Sequence, residues 1–123
     1  MLLVKTYGIQ DHTGTGTHLY VTFPPMFAKQ HEIDLTTKLQ CFIRTMKTGT
    51  APDLVFTLSE KGKGELMGEV TLSKQGLRGL QVKIPQKFTE RVKLRIEAHE
   101  LTCHITKNAV HYHRIRKEGY LGD

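Results

Sequence analysis

The sequence predicts a mostly β protein: a small closed barrel of two ββαββ repeats related by a pseudo-two-fold axis. The first observation is an internal repeat, because residues 19–27 and 80–88 carry one apolar pattern sixty-one positions apart. The second is a series of short segments in which apolar and polar residues alternate, which is typical of half-buried strands. The third is the length of 123 residues, which suits one domain with one core. Closing the sheet into a barrel would remove its exposed edges.

The repeat sets the expected division of the chain. Its matching positions are Leu19, Val21, Phe23, Pro24 and Phe27 in the first copy, and Leu80, Val82, Ile84, Pro85 and Phe88 in the second. A supersecondary unit copied once would give two similar halves around a shared core. We therefore predict a single domain over residues 1–123, with repeats at 1–60 and 65–118 on either side of the glycine-rich link Glu60–Gly64.

The first half is expected to contain four strands and a short helix. Alternation predicts the strands, the pair Gly14 and Gly16 marks a loop, and Pro24–Pro25 ends one strand and fits the first turn of a helix. In order, the elements are strands Leu2–Ile9 and His18–Phe23, helix Met26–His31, and strands Lys38–Thr45 and Asp53–Ser59.

The second half is expected to repeat that order. A turn at Gln75–Gly76 separates its first two strands, and a turn at Lys107–Asn108 closes its last hairpin. The elements are strands Glu65–Ser73 and Gly79–Ile84, helix Pro85–Val92, and strands His99–Thr106 and Ala109–Lys117.

The stretch Gly76–Phe88, followed by Val92 and Leu94, resembles the SpoVT/AbrB family of swapped-hairpin barrels. The shared pattern is a small-residue turn, apolar-x-apolar-Pro, basic residues, an apolar helix position and a leucine. The stretch Gly16–Leu35 fits it more loosely. The Gly-Asp that usually follows the helix is missing from both copies, so the turn there must be built differently. The resemblance implies a cradle-loop barrel that one chain closes alone as a pseudo-dimer, and it leaves open a homodimer of such barrels.

The family resemblance also implies contacts with double-stranded DNA and a role in transcription regulation. Basic residues on the first loop and around the short helix are thought to face DNA in this family, and Lys and Arg neutralise phosphates. Carried onto this chain, the candidate DNA-binding residues are Lys74, Arg78, Lys83, Lys87 and Arg91 in the second copy, and Lys5, His18 and Lys29, with His12, in the first.

Charge supports the second copy as the polyanion-facing side. Residues 1–61 hold six Lys/Arg and five Asp/Glu, a balance of +1, whereas residues 62–123 hold twelve and seven, a balance of +5. A soluble basic surface without a polyanion partner is the alternative that composition leaves open.

The chain offers little for other functional classes. No apolar stretch is long enough to span a membrane, and the first residues are too short an apolar run for a secretory signal, so a cytoplasmic protein is expected. Cys41 and Cys103 are predicted to be buried free thiols, with a bridge between the halves as the alternative. No serine or cysteine stands in a recognised catalytic motif, so we predict neither enzymatic activity nor a cofactor.

Two motifs invite a second interpretation. His111 and His113 share a strand face, with His104 across the predicted hairpin, so the three could approach a zinc ion. We favour exposed or partly paired histidines and predict no metal site, because no Cys or carboxylate has ligand spacing with them. The segment Gly14-Thr-Gly-Thr17 could cradle a phosphate, although a loop between strands is the favoured interpretation.

Two alternative functions remain open. The archaeal CTP-dependent riboflavin kinases are also two-copy cradle-loop barrels, and Gly14–Gly16 with Phe23–Pro25 resembles their arrangement. Their Gly-Thr-Leu-Asn stretch is replaced here by residues 37–40, Thr-Lys-Leu-Gln. Antitoxins with this barrel bind a toxin through an extended tail, and the six residues after Lys117 would cover little partner surface.

Overall fold

The computed structural model describes residues 2–58 and 64–119 of the chain. In the first half the elements are β1 (Leu2–Tyr7), β2 (Gln10–Asp11), β3 (Leu19–Thr22), α1 (Pro25–Gln30), β4 (Leu39–Arg44) and β5 (Asp53–Thr57). In the second half they are β6 (Glu65–Val70), β7 (Ser73–Gln75), β8 (Gly79–Lys83), α2 (Gln86–Val92), β9 (His99–Ile105) and β10 (Ala109–Arg116). The predicted mostly β class is confirmed, and the two short helices lie where the prolines indicated.

The strands form two antiparallel sheets whose strand orders mirror the repeat. One sheet has the order β1-β9-β10-β5-β4-β6, and the other has the order β2-β3-β8-β7. Strand β1 of the first half pairs with β9 of the second, and β6 of the second half pairs with β4 of the first. The first strand of each half therefore pairs with a strand of the other half. Residues at the same place in the two copies are called pseudo-equivalent below.

The first strand of each half is shorter than expected. In the first half, β1 and β2 are divided at residues 8–9, so β2 lies beyond the predicted strand Leu2–Ile9. In the second half, β6 and β7 are divided at residues 71–72, inside the predicted strand Glu65–Ser73. Both divisions occur where the chain leaves the six-stranded sheet for the four-stranded one, and both place a buried apolar side chain there, Ile9 or Leu72. Each half thus has three strands before its helix instead of the predicted two.

The sheets face each other across one cluster of buried side chains from both halves. Its largest fully buried members include Phe23, Phe56, Phe88 and Tyr112. The hydroxyl of Tyr112 donates to the carbonyl oxygen of Thr22 over 2.8 Å, which links the two sheets. Burial of this core is the main source of stability, because apolar area is removed from water on folding.

The two cysteines are free and buried, as predicted. Burial raises the pKa of Cys41 to about 12 and, with a smaller opposing effect from Tyr112, that of Cys103 to about 12. Both thiols are therefore protonated at neutral pH and behave as small apolar side chains.

Each helix ends on a left-handed residue that is not glycine. Glu32 and Lys93 are pseudo-equivalent, and both have φ of 53°. The next N–H closes each helix end, from Ile33 to the Ala28 carbonyl over 2.8 Å and from Leu94 to the Thr89 carbonyl over 2.9 Å. This geometry ends both helices in the same way and directs the chain into the following turn.

Candidate nucleic-acid interface

The predicted cations on α2 are neutralised by one carboxylate. Lys87 and Arg91 lie one turn apart, and both bind Glu65 at the start of β6. The Arg91 Nη2 lies 2.8 Å from Glu65 Oε2, and hydrogen bonds from Lys87 and Arg91 lower the pKa of that carboxyl. Because one negative charge is shared by two positive ones, this pair offers less net charge to a phosphate than the sequence suggested.

The other predicted cations of the second copy are exposed around β7 and β8. Lys74 lies on β7, Lys83 ends β8, and Arg78 lies in the turn between these strands. Lys83 is opposite Tyr20 in the register of β3 with β8. This places Lys83 on the outer face of the four-stranded sheet, as its alternation with Val82 and Ile84 indicated.

The predicted residues of the first copy occupy different surroundings. Lys29 on α1 lines a cavity of about 360 Å³ with Arg78, and Glu32 and Asp34 contribute acidic groups to the same cavity. His18 is exposed beside His12. Lys5 is exposed on β1, with its Nζ 5.8 Å from the centroid of the Tyr7 ring. The structure thus brings Lys29 and Arg78 together in one cavity with two acids.

A further concentration of positive charge lies on residues that were not predicted. A cavity of about 450 Å³ is lined by five basic side chains, called the basic cluster below: Lys93, Arg95, His99, Arg114 and Arg116. Lys93 and Arg95 follow α2, whereas the other members lie on the paired strands β9 and β10, where His99 is opposite Arg116.

Local contacts hold the basic cluster together. The Arg114 guanidinium donates to the carbonyl of Val92 at the C-terminal end of α2, where the helix dipole favours a cation. The backbone N–H of Arg95 donates to His99 Nδ1 over 3.0 Å. Burial, followed by the charges of Arg114, Arg95 and Arg116, lowers the pKa of His99. His99 is therefore a neutral hydrogen-bonding group at pH 7 and the other four members carry the charge.

Glu97 offsets part of this charge. Glu97 accepts a hydrogen bond from the Arg95 Nε over 3.0 Å, and both side chains are largely exposed. An exposed pair of this kind is weak, because water and salt screen it. Four positive groups line this one cavity, and such a concentration of charge attracts anions.

The pseudo-equivalent place in the first half has the opposite sign. Glu32 corresponds to Lys93, and Asp34 corresponds to Arg95. The backbone repeats as well, because Glu32 and Lys93 share a φ of 53° and the next N–H closes the helix end in each half. One fold therefore carries an acidic turn in its first half and a basic turn in its second.

Sequence reasoning missed the basic cluster because it followed the family motif, which places cations on the loop and helix only. Two signals were present. Lys93 and Arg95 are two residues apart, and so are Arg114 and Arg116 on one strand, which puts each pair on one side of an extended chain. The two pairs come together only because β9 pairs with β10 and α2 ends beside them. The spacing of the residues alone does not predict this arrangement.

The glycine loop is organised by a carboxylate. Asp11 accepts backbone N–H groups from Gly14 over 2.9 Å, from Gly16 over 2.8 Å and from Thr13 over 3.3 Å. These are the amides that would cradle a phosphate, and here they already surround an anion. The favoured interpretation, a loop between two strands, agrees with this arrangement.

The three grouped histidines have unequal surroundings. His104 and His111 are opposite each other in β9 and β10, and His113 Nδ1 lies 2.7 Å from Asp53 Oδ1. His111 is only 3% exposed, so the expectation of an exposed side chain is wrong for it. Its Nδ1 has no hydrogen-bond partner among the described residues. Burial lowers the pKa of His111. Within residues 2–58 and 64–119, no three potential ligands are grouped to hold a metal ion.

No protein-family model, curated protein or solved structure significantly matches this chain. The resemblance to the SpoVT/AbrB family therefore stays a prediction. In the part of the chain that the structure describes, no helix has the length and apolar character needed to cross a membrane.

Proposed function

We propose that this protein binds double-stranded DNA electrostatically and acts as an AbrB-like transcription regulator. The observation that carries the proposal is the basic cluster, in which four positive groups converge on a cavity of about 450 Å³. Guanidinium and ammonium groups bind phosphate oxygens, and their contacts release the counterions of the duplex.

The proposed fold is a closed swapped-hairpin barrel. Exchange of β1 and β6 between the halves supports it, as does one core shared by both sheets. A tandem chain of this kind differs from a dimer of identical copies, because each half can present its own outer surface. The acidic turn at Glu32 and the basic turn at Lys93 are such a difference.

Contacts outside the cluster would extend the DNA surface. Arg78 and Lys83 are exposed on the second copy, and arginine can read guanine edges in a groove. Lys87 and Arg91 would also bind phosphates, but a phosphate must compete with Glu65, which already pairs with both. Phosphate contacts fix position, and one or two groove contacts would supply any sequence preference.

Salt-dependent binding to a fluorescent duplex tests the proposal. If the four charged members of the cluster each neutralise about one phosphate, raising salt from about 50 to 200 mM should weaken binding by roughly 10²-fold. Removing two of them in the double variant Lys93→Ala/Arg116→Ala should reduce the salt slope by about 2. Both residues are exposed, so the fold should tolerate the change.

The matched control is the double variant Lys47→Ala/Lys107→Ala, which also removes two exposed cations, from loops outside the cluster. The control should bind nearly as well as the unchanged chain. Absence of binding at low salt would reject the proposal. Equal losses of DNA affinity in the two double variants would show that the basic cluster is not the DNA-binding site.

A further inference from the structure

A second cavity, of about 380 Å³, opens on the four-stranded sheet. Its lining residues are His12, Thr13, His18, Tyr20, Ser73 and Gln81. None of them belongs to the basic cluster. Its size falls within the range of small-molecule sites, which commonly combine aromatic walls with a few placed polar groups.

Pseudo-equivalent residues form opposite sides of this cavity. Tyr20 corresponds to Gln81, sixty-one positions later, and both line the cavity. Two identical copies would have to place the same side chain on both sides. This chain instead places rings on one side and an amide with a hydroxyl on the other, so the cavity has the asymmetry that an asymmetric ligand requires.

The first side supplies aromatic surface. The rings of His12 and Tyr20 pack edge to face, with centroids 4.7 Å apart and planes at 68°. Tyr20 lies on β3 opposite Lys83 and is only half-buried, so part of its ring remains open to the cavity. Aromatic side chains of this kind stack on planar rings with little preference among them.

The second side supplies a polar edge that is only partly used. Gln81 is 6% exposed, its Oε1 lies 3.0 Å from His12 Nε2, and its Nε2 donates to Ser73 Oγ over 3.2 Å. A primary amide has two donor hydrogens and two acceptor lone pairs. After these two contacts, one donor hydrogen and one acceptor lone pair of the Gln81 amide remain. Buried polar groups of this kind are normally hydrogen-bonded, so both are available to a ligand. Glutamine amides pair in this way with the donor and acceptor atoms of a base edge.

We infer that this cavity binds a nucleobase-like ring, planar and heteroaromatic, with a hydrogen-bond donor and acceptor on one edge. The ring stacks on Tyr20, and its edge pairs with the Gln81 amide. His12 holds both groups in place, because it contacts the Tyr20 ring and the Gln81 oxygen together. The inference does not rest on the proposed binding of duplex DNA, since neither interaction involves a phosphate.

Titration of the ¹⁵N-labelled chain with uncharged nucleosides tests the inference by NMR. Adenosine, cytidine, guanosine and uridine are added at millimolar concentration, and the Gln81 side-chain amide and the amides of residues 12–20 are followed. At least one nucleoside should shift these signals in a saturable way. A single-stranded tetranucleotide of each base forms the second arm, and shifts with the tetranucleotide alone would identify the source as a base within a strand.

The variants Gln81→Leu and Gln75→Leu provide the matched comparison. Gln75 lies on the same sheet and accepts the Thr22 hydroxyl over 2.7 Å, but it does not line the cavity. Binding should be lost in Gln81→Leu and kept in Gln75→Leu. Tyr20→Leu should also abolish binding, and this variant takes the place of Gln81→Leu if Gln81→Leu does not fold. No shift in either arm, or equal binding by the Gln81 and Gln75 variants, would overturn the inference.

Discussion

His111 shows how one residue can set the response of this fold to pH. It is buried on β10, opposite Val55 of β5 and His104 of β9, and burial lowers its pKa. The unfolded chain therefore binds a proton more readily than the folded one. The resulting stability is complete above the unfolded pKa of about 6.5 and is lost as pH falls through the folded value.

Replacing His111 by leucine should flatten this response. Between pH 7 and pH 5, the free energy of unfolding should fall more for the unchanged chain than for His111→Leu, as measured by urea denaturation. His18→Leu is the control, since His18 is exposed and should leave the response unaltered. An identical pH response in the His111 variant would contradict the assignment.

A second residue, Glu32, carries backbone strain that glycine would relieve. Its φ of 53° is left-handed, a region that costs a residue with a side chain roughly 1–2 kcal/mol. Glu32→Gly should therefore raise the free energy of unfolding, by about 0.5–1 kcal/mol after the added freedom of the unfolded chain is counted. The same change at Glu90 within α2 should lower it by about 1 kcal/mol. Chemical denaturation measures both, and a loss of stability in Glu32→Gly would oppose the strain argument.

At the scale of elements, the sequence predicted whether a segment is a strand or a helix better than it predicted which elements contact each other. Alternation placed β3, β4 and β8, and the prolines placed α1 and α2. The divisions of the first strands at Ile9 and Leu72 were missed because an apolar residue continues the strand pattern even where the chain changes sheets. The basic cluster was missed for a related reason, since Arg114 meets α2 only through tertiary packing.

The contact between Tyr112 and Thr22 joins the two sheets at one buried point. The two residues are ninety positions apart in the sequence. The Tyr112 ring is fully buried, and its hydroxyl donates to the Thr22 carbonyl oxygen over 2.8 Å. Tyr112→Phe should cost about 1–2 kcal/mol, because the Thr22 carbonyl loses a donor in a buried setting. Urea denaturation gives the value, with Tyr7→Phe on the partly exposed β1 as control. Equal effects of the two changes would argue against this link between the sheets.

At the scale of the whole molecule, exchange of strands makes the halves interdependent. Strand β1 has its partner in the second half, and β6 has its partner in the first. A fragment of residues 1–62 should therefore show no cooperative thermal unfolding as a monomer, whereas mixing it with residues 63–123 should restore the transition. Circular dichroism with sedimentation tests this. Cooperative folding of a monomeric fragment would contradict interdependence.

The repeat also allows the two outer surfaces to differ while the core stays alike. Val21 and Val82 are both fully buried and directly opposite, so the apolar side of the repeat was predictable from sequence. The outer side has diverged, with Tyr20 against Gln81 at the cavity and Glu32 against Lys93 at the turns. Aligning the two copies displays these differences, but only the fold shows which of them lie together.

The most direct test of the central claim exchanges one acidic and one basic residue between the two halves without altering the total charge. The double variant Glu32→Lys/Lys93→Glu keeps the net charge at +6 and uses two exposed sites with the same φ of 53°. Its affinity for a duplex at low salt is measured beside the unchanged chain. If the basic cluster binds DNA, the exchange weakens binding by about tenfold and lowers the salt slope by about 1 or more. Unchanged affinity would show that total charge, and not its concentration in the second half, governs binding.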